Sequence, residues 1–219
     1  MSASALVRLR QLRDVFGKTP ESNFWPILAR LSALYEDLRI ELFGIGEESL
    51  SLLDQLDVKY RRMYFLRKSL GTLSEFAQAI QHLENSPEFS LVTSQFTPEI
   101  ARRWERAAAF FKRNEHALKL VRNDIGGHFG MEAARFASQH LHIDAVNGIE
   151  MTEPFSGRGR VFLRFSGEVV ATAMLRHAWG KNRDHQIKRL VRLARIGYQH
   201  ATRCVHCIVF CYLWGQFGR

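Results

Sequence analysis

The sequence has little cysteine, no long apolar run and a shortage of acids, and each lack removes a class of protein. Only three cysteines occur among 219 residues, Cys204, Cys207 and Cys211, all near one end. They are too few for a disulfide framework, and adjacent turns of one helix would hold them in poor geometry for bridging. A reducing, cytoplasmic location is expected. The longest apolar stretch, residues 204–214, is interrupted by His206 and falls short of the roughly 20 residues a membrane-spanning helix needs. It reads as a buried or partner-covered helix end, with a membrane-surface role as the lesser alternative because a basic stripe precedes it. Near the start, Arg8, Arg10 and Arg13 break up the apolar pattern, so no signal peptide is expected. There is no internal repeat, low-complexity tract or convincing linker. Hydrophobic residues at 46% and charged residues at 24% are ordinary for a folded chain.

The shortage of acids is the more informative lack. Against 31 Lys and Arg stand 22 Asp and Glu, a formal net charge of +9. Residues 181–219 hold eight of the bases (Lys181, Arg183, Lys188, Arg189, Arg192, Arg195, Arg203 and Arg219) and one acid, Asp184, so +7 of the excess sits at that end. Such a stripe attracts polyanions, nucleic acid first. The plainer reading is a solvated basic face that aids solubility, and composition weighs the two about equally.

What is present reads as helix after helix. Residues 24–43 place Ile27, Leu31, Leu34, Leu38 and Leu42 near the 3.6-residue period, with Pro26 tolerable in the first turn and Gly44 and Gly46 as a stop. A pattern from 49 to 70 comes next and is broken at Gly71. Thr72 and Glu75 then have the spacing of a capping box, which opens a helix to about Leu83. Asn85-Ser86-Pro87 closes it. Thr97-Pro98 caps a helix running to about Ile125, where Gly126-Gly127 end or bend it. Residues 131–141 are a short helix. Residues 147–165, punctuated by glycines and rich in strand formers at 161–165, predict a small β-hairpin or irregular insertion. Helices resume at 168–179 and 183–214. The fold class is all-α: one helical bundle spanning 1–219, with a core at about 24–141 and basic carboxyl-terminal helices at about 168–215.

The helix after Thr97 carries an irregularity. Its inward row, stepping by threes and fours, is Trp104, Ala108, Phe111, Glu115, Leu118, Arg122 and Ile125. Two charged groups thus fall where a core face is expected. A desolvated guanidinium costs several kcal/mol unless paired, so Arg122 demands a partner or a function. By periodicity alone, snorkelling to the surface is the simpler account.

The run Arg122-Asn123-Asp124-Ile125-Gly126-Gly127-His128 resembles the R-x(4–6)-H motif of the HEPN superfamily (higher eukaryotes and prokaryotes nucleotide-binding). A polar residue after the Arg, a helix-end position and helical surroundings all match, and the likeness is sharp over residues 115–129. It implies a helical bundle that dimerises and acts as a metal-independent endoribonuclease, often a toxin or antiviral defence effector held by an antitoxin. His128 would be the general acid or base, because imidazole exchanges protons near neutral pH. Arg122 would stabilise charge on phosphorus, and Asn123 would orient one of them or hold a phosphate. Products would be a 2′,3′-cyclic phosphate and a 5′-hydroxyl, with no cofactor. Six helical residues rotate by about 600°, so Arg122 and His128 converge only through a bend at the glycines or across a homodimer. About 90 residues lie beyond the motif, whereas minimal family members carry it near the carboxyl terminus.

RNA phosphates are assigned to Lys119, Lys188, Arg189, Arg192 and Arg195. The rival sites are weaker. Cys204, Cys207 and Cys211 form an i, i+3, i+7 row that reads as core packing rather than zinc ligation. His140, His142 and Asp144 read as an exposed helix end, and Asn182-Arg183-Asp184-His185 as a helix start able to touch phosphate. The alternative function is a non-catalytic helical module that binds nucleotide, RNA or a protein partner, in which Arg122 and His128 only organise the fold.

Overall fold

The computed structural model describes residues 24–46, 55–123, 130–141, 149–151, 161–163, 166–178 and 180–217. Among them are seven α-helices: α1 Phe24–Gly46, α2 Gln55–Glu84, α3 Pro87–Thr93, α4 Pro98–Val121, α5 Met131–His140, α6 Ser166–Met174 and α7 Arg183–Phe217. A 3₁₀ turn, Arg176–Ala178, links α6 to α7. Between α5 and α6, strands β1 Ile149–Met151 and β2 Val161–Leu163 pair antiparallel, with Glu150 opposite Phe162. The chain is thus an all-α bundle bearing a small hairpin inside the segment where the sequence predicts one. No helix among the described residues is long and apolar enough to cross a membrane.

Helix α2 is the axis of the bundle. Its 30 residues extend about 45 Å at 1.5 Å per residue, and α1, α4, α6 and α7 all pack on it. Met63, Leu66, Leu70, Leu73, Ala77 and Ile80 are buried; their alternating steps of three and four draw a continuous apolar seam. Phe76, on the adjoining face, meets Phe111 of α4 with ring centroids 5.4 Å apart. Trp104 of α4 closes one end against Phe89 of α3, centroids 4.9 Å apart, while its indole N–H donates to Glu84 at 3.0 Å.

Three predictions about local punctuation change. Gly71 does not break α2, and no capping box forms. A glycine inside a helix costs about 1 kcal/mol, less than the burial of neighbouring Leu70 and Leu73, both fully enclosed, contributes. The Thr72 hydroxyl instead donates across to Glu41 of α1 at 2.9 Å. Gly44 lies within α1 rather than ending it, and a Cβ there would collide with the Phe65 ring. Likewise α7 crosses α2 at Gly197, where a Cβ would stand 2.6 Å from Leu73. These two glycines set how closely the helices approach.

Other local readings hold. The Thr97 hydroxyl accepts the Ile100 amide at 3.3 Å and Pro98 starts α4. Asn182 accepts the His185 amide at 2.9 Å, making it the cap of α7. Cys204 and Cys207 are buried in the core cluster, as their helical row predicts.

Candidate functional site

Helix α4 presents Trp104, Ala107, Phe111 and Leu118 to the core, and the two charges in that row both find partners on α2. Glu115 accepts the Gln81 amide at 3.0 Å. Arg122 Nη2 lies 2.5 Å from Glu75 Oε1, and Glu75 Oε2 takes Arg30 of α1. One carboxylate therefore clasps two guanidiniums from different helices. Arg122 remains 38% exposed, and a guanidinium has five N–H donors, so the ion pair orients Arg122 and leaves donors for a second acceptor. The Arg30–Glu75–Arg122 cluster carries a net charge of +1, which favours an anion over a cation.

Past Val121 the helix widens into a π-type turn at Arg122 and Asn123. Asn123 is exposed. His128, with Gly126 and Gly127, lies outside the described residues, as do His142 and Asp144. His140 Nδ1 lies 2.9 Å from the Phe136 carbonyl, and its ring stacks on Phe136 with centroids 4.2 Å apart.

The motif end of α4 and the basic turns of α7 are brought to the same end of the molecule. The helices pack antiparallel: Cys207 Sγ reaches the Ile100 carbonyl at 3.8 Å, and Phe110 stacks on His200 with centroids 4.5 Å apart. Continuing that register brings the last turn of α4 level with the turn of α7 that carries Arg189 and Arg192. Val121, Arg189 and Arg192 accordingly line one groove, of about 430 Å³, between α4, the 3₁₀ turn and α7. Lys188, Arg189, Arg192 and Arg195 are exposed, and no carboxylate among the described residues pairs with them. The neighbouring Arg183 is engaged with Glu168 of α6.

Not every predicted contact gathers there. Residues two apart on a helix differ by about 200° in azimuth, so Lys119 and Asn123 lie across α4 from the groove-lining Val121. Lys188 and Arg195 face open solvent from α7, outside the groove. The predicted RNA-binding residues thus form two surfaces flanking the end of α4. Glu75, which holds Arg122, and Arg30, which shares that carboxylate, are missed by sequence reasoning, because the spacing of Glu75 from Thr72 reads as a local cap. The Arg122 irregularity was the available signal, since it demanded an acidic partner without naming one.

The chain matches no protein-family model, no curated protein and no solved structure.

Proposed function

We propose that this protein acts on RNA as a HEPN-like, metal-independent endoribonuclease. The observation that carries the reading is the placement of Arg122 and Asn123 level with the turns of α7 that carry Lys188, Arg189, Arg192 and Arg195, which pair with no carboxylate among the described residues, and with Arg122 held by Glu75 in a cluster of net positive charge. In this reading RNA phosphates run along Lys188, Arg189, Arg192 and Arg195, with Lys119 on the other flank. Arg122 donates to the scissile phosphate as negative charge builds on it. His128 removes the 2′-hydroxyl proton or protonates the leaving oxygen, and Asn123 orients the phosphate. A second copy of the chain can supply the complementary motif, as in the family it resembles. A toxin or defence role under the control of a partner protein belongs to the same proposal.

The Glu75 clasp also supports a second reading. Glu75 ties α1, α2 and the end of α4 together through Arg30 and Arg122, which is how Arg122 would serve as a purely organising residue of a non-catalytic binding module. Cleavage of mixed cellular RNA in EDTA by wild type, His128→Ala and Arg122→Ala separates the two. The ribonuclease reading expects cleavage by wild type and a loss of about 10²-fold or more in both folded variants. Absence of cleavage by wild type, or cleavage indifferent to His128→Ala, leaves the binding module.

A further inference from the structure

The groove between α4 and α7 has a character that phosphate binding does not explain. Its walls are mainly aliphatic, with Leu120 and Val121 from α4, Leu175 from the turn after α6, and Leu190, Leu193 and Ile196 from α7, and Asn114, His177 and Gln186 add polar groups. Arg189 and Arg192 form one lip, both exposed and without an acidic partner among the described residues. No carboxylate among the described residues lines it. Nor does Tyr or Trp, and the Phe that does, Phe110, is buried and already stacked on His200. Among the described residues the groove therefore presents no free phenyl or indole ring for a nucleobase to stack on, and its one exposed aromatic side chain is the small imidazole of His177.

The groove is long enough for a helical occupant. On α4 the lining runs from Phe110 to Val121, about 16 Å at 1.5 Å per residue. A ligand helix with apolar anchors at i, i+4 and i+7 spans about 10 Å and fits within that length. Aliphatic grooves commonly take amphipathic helices in this way. The arginine lip selects acidic residues beside the anchors.

We propose that the α4–α7 groove is a docking site for an acidic amphipathic helix of a partner protein, anchored by aliphatic side chains and gripped by Arg189 and Arg192. Because those two arginines also belong to the basic face of α7, an occupant competes with polyanions for them. The docking itself does not depend on the ribonuclease activity and is read without RNA.

The test uses the full chain and fluorescein-labelled, helix-stabilised 15-residue peptides with Leu or Ile anchors at i, i+4 and i+7 flanked by glutamates. Controls are a scrambled isomer and an isomer with lysine for glutamate. Fluorescence anisotropy is expected to show binding at least 10-fold tighter than either control. Arg189→Glu with Arg192→Glu, both at exposed positions, should weaken it at least 10-fold. Ala117→Trp fills the groove from an exposed lining position and should abolish binding with the circular dichroism spectrum retained. Three results would overturn the proposal: no binding by any acidic peptide at 100-fold molar excess, equal binding of the lysine isomer, or indifference to Ala117→Trp. Loss of single-stranded RNA binding in Ala117→Trp, with no peptide binding by wild type, would also overturn it and assign the groove to RNA.

Discussion

The two flanks of α4 are built from the same helix and have opposite chemistry. Toward α7 lies the aliphatic groove with its arginine lip. Toward α2 lies a second groove, of about 500 Å³, that exposes Glu84, Glu105 and Glu115 beside Gln81, Asn85 and Lys112. The acids of the second groove are largely committed: Glu84 accepts the Trp104 indole and Glu115 the Gln81 amide. The bases of the first are uncommitted among the described residues. A net charge of +9 therefore describes no part of the surface well. What meets a ligand is the local ratio of spent to unspent charge.

The comparison is tested first at the seam itself. Phe111→Ala empties the contact with Phe76 that joins α4 to α2, and should cost about 3–5 kcal/mol. Chemical denaturation of wild type and variant measures it. A cost below about 1 kcal/mol would mean that α4 is held chiefly by its α7 side.

Next in size is the contrast in charge. Replacing Arg189, Arg192 and Arg195 with glutamate should weaken single-stranded RNA binding about 10- to 100-fold. If each arginine contacts one phosphate, the log–log salt slope should fall by about 2, at about 0.7 per contact. Replacing Glu84 and Glu105 with glutamine on the other flank should leave that slope unchanged. Equal effects on both flanks would mean that RNA responds to net charge rather than to the α7 face. Fluorescence anisotropy over a salt series reads both.

The smallest effect concerns a carboxyl that, unlike Glu84 and Glu115, lacks full satisfaction. Glu41 accepts the Thr72 hydroxyl on one oxygen, and its other oxygen is buried without a partner among the described residues. Burial pushes its pKa up to about 7, with Asp37 adding to the rise and Thr72 and Lys68 opposing it. The folded chain thus keeps the Glu41 proton to about pH 7, while the unfolded chain releases it near 4.5. Stability from this residue is fully present below about pH 4.5 and is lost as pH rises through 7. Partial solvent access limits the difference to about 1–2 kcal/mol. Glu41→Gln should remove that pH dependence and leave the variant more stable than wild type at pH 8, as thermal melts from pH 4 to 8 would show. A pH dependence that survives Glu41→Gln belongs to another group.

Helix periods, the Thr97 cap and the buried Cys204–Cys207 row were legible because each depends on residues a few positions apart. Gly71 misled for the complementary reason. A local breaker signal says nothing of the leucines on either side, and their burial in the bundle outweighs the cost of one glycine. Glu75 shows the same limit in the candidate site, since its spacing from Thr72 suggests a cap while its partners stand 45 and 47 positions away.

By itself, the sequence determined the helical class of this protein, the basic stripe near its carboxyl end and the misfit of Arg122 in an apolar row, all properties of periodicity and composition. Only the tertiary structure decided that Arg122 shares Glu75 with Arg30, that α4 and α7 run antiparallel with Val121 beside Arg189, and that one helix carries an aliphatic flank and an acidic one. Those outcomes depend on which helices meet and in what register. Both are set by closing a single core around α2, to which residues far apart in the chain contribute together.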